Sequence, residues 1–367
     1  MKKILTLLIL ITVFALPARA QSNEIYINQY KSSGMEKTEN TLPDETKSIL
    51  KDFGFTPENP SGINNITPKS AVKMISDFVK SKGKLPLKSG FCTLAVILLC
   101  AAFGMFCENS PINEAVNGVM NIIICLSIVA PVFSVITAVA SAIKGTGVFM
   151  ISFVPVYAGL TAAGGKAVTA AGFSTVLLFF SQLAVNIAGF VVVPVMSAYL
   201  ALSISAGVSP LLSELNFAES LKKAALFGLG LVFTVFVGLI SVQTTVNSAA
   251  DGVSMRTLKF MVGTFVPVAG SALSEAAATV TASLNLLKST AGIYAVAAVF
   301  ILFLPMVIEI ILWRVCLLFS RSAAGMFGLK KCADVCTAVD STLSVLLGII
   351  IFAAALFIIS LSVIIKC

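Results

Sequence analysis

Histidine is absent from all 367 residues, and charged side chains make up only 11% of them against 57% hydrophobic. Without an imidazole, no histidine-based acid/base or metal site can be built. A soluble domain carries about 25% charged residues, so an ordinary soluble enzyme is excluded too. Cysteine is missing from residues 21–90; its eight copies, Cys92, Cys100, Cys107, Cys125, Cys316, Cys332, Cys336 and Cys367, all fall in or beside apolar stretches. There a free thiol behaves as a small hydrophobe. Cys332 and Cys336 stand four apart on one prospective helix face, but with no second cysteine pair they read as packing residues rather than metal ligands. Also lacking are a phosphate-cradling glycine loop, a nucleophile elbow, paired catalytic carboxylates and a basic-aromatic patch. The sequence therefore implies no catalytic residues, no cofactor and no nucleic-acid partner.

What charge there is lies unevenly. Of the 42 charged residues, 21 fall within residues 1–90 and 21 are spread over the remaining 277. A short polar front end is thus joined to a body whose natural solvent is the lipid bilayer. Residues 1–20, MKKILTLLILITVFALPARA, have the basic start, apolar run and small-residue end of a secretory signal peptide. Cleavage before Gln21 is expected, with an uncleaved anchor as the alternative because Arg19 lies in the cleavage motif. Either form exports residues 21–90. This segment predicts two short helices: residues 43–53, stopped by Gly54, and residues 68–81, with Thr67 as N-cap, Pro68 at the first helical position and Gly83 as the stop. On the second, Val72, Ile75, Phe78 and Val79 form one apolar face. Either that face docks on a partner or on the membrane body, or the segment is mainly a flexible linker.

Six stretches are apolar and long enough to span: residues 91–106, 119–143, 173–204, 224–246, 293–319 and 343–365. Two more, 148–163 and 260–273, are proline-interrupted and rich in glycine and alanine, so each is a spanning helix or a re-entrant loop. Their flanks repeat at an offset of about 111 residues: Phe149-Met150 before Phe153-Val154-Pro155-Val156 matches Phe260-Met261 before Phe265-Val266-Pro267-Val268. Val168-Thr169-Ala170 matches Val280-Thr281-Ala282, Pro194 matches Pro305, Leu221-Lys222-Lys223 matches Leu329-Lys330-Lys331, and Gly238 matches Gly348. The fold class expected is an all-α polytopic membrane protein with an internally duplicated helical body of about 6–8 membrane segments. Its divisions are a signal peptide at 1–20, an exported segment at 21–90, two first transmembrane helices at 91–146, and repeat units at 147–257 and 258–367. If 148–163 and 260–273 are re-entrant, the units run parallel and Lys222, Lys223, Arg321, Lys330 and Lys331 share the cytoplasmic side, as the positive-inside tendency prefers. If they span, the units are inverted.

An ionisable residue at membrane depth is a functional candidate by default. Glu309 leads, four residues after Pro305 and five before Arg314, deep in an apolar run. It serves either a pathway or a structural ion pair between helices. Lys166 and Glu275, on the small-residue segments after the two Val-Pro-Val motifs, line a polar path or sit in solvated loops. Gly228, Gly230 and the small-residue runs 158–172 and 269–282 suggest close helix packing.

With the signal peptide, the lysine-rich exported segment and the stretches FMISFVPVYAGLTAAGG and FMVGTFVPVAGSALSEA in order, the chain resembles the stage III sporulation protein AE family over essentially its whole length. The resemblance implies a membrane component of the channel-like complex between mother cell and forespore that supports late forespore gene expression. It implies as partners the other membrane proteins of the stage III sporulation A operon, with a homo-oligomer possible, and it carries over no site residues. The alternative class is a stand-alone secondary transporter with a solute site between the two halves.

Overall fold

The computed structural model describes residues 30–52, 54, 68–106, 111–208, 217–265 and 270–366, with the side chains of 252–283 among those not described. The signal sequence, Thr67 and Pro267 lie outside them. All regular structure among the described residues is helical. Two short helices, α1 (Met35–Glu39) and α2 (Asp44–Asp52), precede the long ones: α3 (Pro68–Phe106), α4 (Pro111–Ala163), α5 (Ala167–Ile187), α6 (Val193–Val208), α7 (Phe217–Phe265), α8 (Gly270–Met326) and α9 (Lys330–Lys366).

Six helical stretches are apolar and long enough to cross a membrane: Val72–Phe103, Ile122–Ala163, Ala167–Ser205, Ser220–Asn247, Leu284–Met326 and Lys330–Val363. Each overlaps one of the six spans expected from the sequence, three of them enclosing it entirely, and the chain is a polytopic membrane protein. The helices overshoot the bilayer, however. The 57 residues of α8 extend about 85 Å at a rise of about 1.5 Å per residue, against roughly 30 Å of hydrocarbon.

Two expected interruptions do not occur. Gly83 does not end a helix; α3 runs unbroken from Pro68 to Phe106 through Gly83, Pro86 and Gly90. An interior glycine costs only about 1 kcal/mol, and here its missing side chain is used. A Cβ on Gly90 would sit 2.8 Å from the Cys316 Cβ, and one on Gly83 would meet Leu312 at 3.5 Å, so these glycines let α3 lie close along α8. Residues 148–163, expected to span separately or to re-enter, instead continue α4 through Pro155. An interior proline typically costs about 3 kcal/mol, but Phe149, Met150, Phe153, Val154 and Tyr157 are all buried around it and hold the helix, while Pro155 turns to the exposed side. Pro194 is handled differently: the π-helical turn Ala188–Val192 immediately before it joins α5 to α6, giving the backbone the extra slack that a proline ring demands. Pro305 lies buried inside the continuous α8.

Two helix ends are built by glycine. Gly165 (φ 88) and Gly328 (φ 69) take the left-handed conformation after α4 and α8. Gly165 N–H donates to Ala162 O and Lys166 N–H to Thr161 O; Gly328 N–H donates to Gly325 O and Leu329 N–H to Ala324 O. Both are Schellman caps.

The core is the antiparallel pair α8–α9, with α4 alongside both; α3 packs on α8 and α4, α5 on α4 and α7, and α6 and α7 on α9. Residues 30–52 are part of this body. Tyr30, Met35, Leu42 and Leu50 are buried in the main core, with α1 against α4 and α2 against α8. On α3, of the apolar face expected to dock, Phe78 is buried while Val72, Ile75 and Val79 stay exposed. The small-residue expectation divides similarly: a Cβ on Gly172 would collide with Asn247, whereas Gly228 and Gly230 face nothing within 4 Å.

Candidate functional site

The polar side chains inside the bundle occur at three levels. The first is the α4–α5 break. Asp251 of α7 is only 6% exposed, and its two carboxylate oxygens accept the N–H groups of Val168 (3.0 Å) and Thr169 (2.9 Å) at the start of α5. The first N–H groups of a helix have no partner within it, and the helix dipole favours an anion there. Asp251 therefore caps α5 from a different helix. Lys166 is the residue preceding α5 and is exposed. Beside the cap, Asn247 lies against Gly172 and near Gln243, to which its Nδ2 donates at 3.4 Å. Lys288 of α8 is buried with its Nζ 6.0 Å from the centre of the Tyr157 ring on α4, a cation–π arrangement. A carboxylate, a carboxamide and an ammonium from α7 and α8 thus converge where α4 turns into α5.

The second level holds the two leading candidates, which are not partners of each other. Arg314 pairs with Asp340 of α9: Nε donates to Oδ1 at 2.7 Å and Nη2 to Oδ2 at 3.5 Å. Both side chains are about one-third exposed. Glu309 is half-buried and feels the positive charge of Lys82 on α3. Glu275 lies within α8, but its side chain is outside the described residues.

The third level is a group of thiols. Cys100 on α3 and Cys332 on α9 share a hydrogen bond, and Cys125 of α4 and Cys336 of α9 lie close enough to act on Cys332 electrostatically. All four are free thiols, three of them buried. Among the described residues no group of three or more cysteines and acids has the geometry to hold a metal ion.

The sequence reading missed Asp251, Lys288 and Asp340, each placed near or beyond the end of an apolar run. One signal was available for Asp251: it is the sole acid between Glu219 and Glu275.

Six long apolar helices, with an ion pair between two of them, define a polytopic helical membrane protein. Residues 58–367 match the family model of stage III sporulation protein AE, and the chain belongs to that family. A curated relative, stage III sporulation protein AE of Bacillus subtilis, is 27% identical over 279 residues, covering 74% of this chain and 67% of the relative. No solved structure matches the chain.

Proposed function

We propose that the chain is a non-enzymatic integral membrane subunit of the channel or secretion-like complex between mother cell and forespore, needed for late forespore gene expression. The observation that carries the proposal is family membership over residues 58–367. On this reading it sits in the mother-cell membrane around the forespore with residues 21–90 extracytoplasmic, and works with the other membrane proteins of its operon.

The docking of residues 30–52 on the outer ends of α4 and α8 supports an exported segment that belongs to the working body rather than a tether. The duplication, with units 147–257 and 258–367, is supported by element order. A long proline-bearing path (α5–α6 with Pro194; α8 with Pro305) is followed each time by a single helix with a di-lysine near its start (α7 with Lys222-Lys223; α9 with Lys330-Lys331). Two crossings per unit make the units parallel and put both di-lysines on the cytoplasmic side.

Deletion of the gene is the test. Engulfment should proceed and late forespore gene expression should stop, while single cysteines beside Lys222 and Lys330 should be labelled from the same side. Normal late expression in the deletion strain, or saturable uptake of one solute by the purified chain alone in liposomes, overturns the proposal. The second result would establish a self-sufficient transporter.

A further inference from the structure

Apolar side chains are exposed on several helices of the bundle, but at different heights along its axis, and contacts between helices set those heights. Gly90 on α3 lies against Cys316 of α8, and Arg314, two residues from Cys316, is bonded to Asp340 of α9. Eight residues further along α9, or about 12 Å, Gly348 faces Leu226 of α7, and Phe352 then packs on Phe233. The exposed apolar face of α7, from Leu226 through Leu231 to Val246, therefore begins about 12 Å beyond Gly90 and runs about 30 Å towards the N-terminal end of α3. On α3 the exposed apolar residues from Phe91 through Leu98 to Phe103 lie on the other side of Gly90. α4 and α8 keep to that lower level. Leu126 of α4 is 70% exposed next to Ser127, whose hydroxyl meets that of Thr93 on α3 at 3.5 Å, and Val315, Leu318 and Phe319 of α8 flank Cys316.

At the height of the α7 apolar face, other helices expose charge. Gly147 of α4 packs against Val185 of α5, and Phe180 of α5 meets Phe236, midway along that face, at 4.8 Å. Lys144, one turn before Gly147, is exposed. On α3 the exposed Lys80, Asp77 and Lys73 stand about 15–26 Å beyond Gly90. Beside them α2 contributes Glu45, Lys51 and Asp52 to a cleft that it shares with Lys73 and Asp77. Charges of both signs at this height need water, whereas α7 at the same height needs hydrocarbon.

We infer that the bundle crosses the bilayer obliquely, and that lipid is the partner of both apolar bands. Hydrocarbon covers α7 high on one side and steps down past α4 and α8 to the apolar end of α3 on the other. A bilayer set square to the helices fails at either height. Aligned on α7 it buries Lys144 and the charges of α2 and α3, and aligned on the end of α3 it leaves most of α7 bare. Between Leu226 and Phe103 the step is about 30 Å, and three helix contacts of about 8–10 Å each separate α7 from α3. The inclination is therefore about 45°, against an average of about 20° for spanning helices. The length of α7 agrees. Crossing about 30 Å of hydrocarbon at about 45° takes about 42 Å of helix, or about 28 residues, and the apolar stretch Ser220–Asn247 has 28. The inference goes beyond the channel-subunit reading and is independent of it, since it holds whichever side of the membrane the N-terminal helices occupy.

Depth measured at matched heights is the test. The only tryptophan, Trp313, is buried and serves as a fixed background. Leu231→Trp on α7, Leu98→Trp on α3 and Lys144→Trp on α4 are each purified as the full chain and reconstituted in phosphatidylcholine vesicles, with iodide on both sides or with lipid brominated in its acyl chains. The added emission of Leu231→Trp and of Leu98→Trp should be lost to brominated lipid and kept in iodide. Lys144→Trp, level with Leu231, should show the reverse. Quenching of Lys144→Trp by brominated lipid, as for Leu231→Trp, would mean an upright bundle and overturn the inference. Quenching of Leu98→Trp by iodide would place the end of α3 in water, and quenching by neither reagent would place it under protein, such as a second copy of the chain. Either result, or any other pattern, overturns the inference as well. If Lys144→Trp does not accumulate, Lys80→Trp is scored by the same criteria.

Discussion

Asp251 holds Thr169 by its backbone: the carboxylate on α7 accepts the Thr169 N–H at 2.9 Å across 82 residues of sequence. The adjoining Val168 N–H goes to the other oxygen, so one buried side chain satisfies two donors that α5 cannot satisfy itself. The turn it secures, Gly164 to Lys166, joins two long apolar helices. Buried N–H groups left without acceptors there would be costly.

Replacing Asp251 by alanine should therefore cost about 1–3 kcal/mol, the penalty for stranding buried donors, and Asp251→Asn, which keeps one acceptor oxygen, should cost less. In mild detergent, trypsin cleavage after Lys166 should accelerate at least about fivefold in the alanine variant. An unchanged rate in Asp251→Ala would mean that water caps α5 equally well.

Close approach of α3 to α8 gives a second prediction. Gly90→Ala places a Cβ 2.8 Å from the Cys316 Cβ and should destabilise the solubilised protein by about 1–3 kcal/mol through overpacking. Gly228→Ala, with nothing within 4 Å of its Cβ, should be neutral or stabilising by up to about 1 kcal/mol. Adding Cys316→Gly to Gly90→Ala should recover part of the loss. Equal thermal midpoints for the two alanine variants would remove the proposed close contact.

What the sequence made legible was apolar length. All six spans were readable because a bilayer-crossing run imposes composition on every residue in it, and Pro68 and Gly54 marked helix ends correctly because their backbone demands are local. Gly83 and Pro155 were misread for the complementary reason. Whether a glycine or proline breaks a helix depends on what packs against it, here Leu312 for Gly83 and the buried aromatic row of α4 for Pro155. The candidate charges were half legible. Glu309 and Arg314 could be picked out as charges within an apolar run, but Asp340, which pairs with Arg314, and Lys82, the cation whose field reaches Glu309, sit on other helices just outside apolar runs, where nothing local distinguishes them from solvated flanks. The thiol group is invisible in sequence for the same reason, being drawn from α3, α4 and α9.

That thiol group offers a direct check on tertiary arrangement. Cys100 and Cys332 are hydrogen-bonded, so mild oxidation of membranes should join them in a disulfide, each thiol giving up its proton and one electron to a copper–phenanthroline oxidant. With a protease site inserted into residues 209–216, the two cleaved fragments should stay together on a non-reducing gel and separate after reduction. Cys100→Ser should abolish the link. Fragments that separate in the oxidised parent would show that α3 does not reach the start of α9.

The remaining prediction concerns Glu309 and Lys82. A charge left facing hydrocarbon costs on the order of 3 kcal/mol on insertion scales, and Glu309 sits half-buried on α8 with Lys82 as the cation acting on it. Removing either partner strands the other. Glu309→Leu and Lys82→Met should each lower stability, the double variant should lose less than the sum, and the coupling should be at least about 0.5 kcal/mol, as found for residues in one ionic network. Glu309→Gln, which keeps a hydrogen-bonding group of the same shape, should be tolerated better than Glu309→Leu. Unfolding midpoints of the four proteins in mixed detergent measure the cycle. Strict additivity would show that Lys82 does not hold Glu309, and its carboxylate would then have to be satisfied by water or by another chain of the assembly.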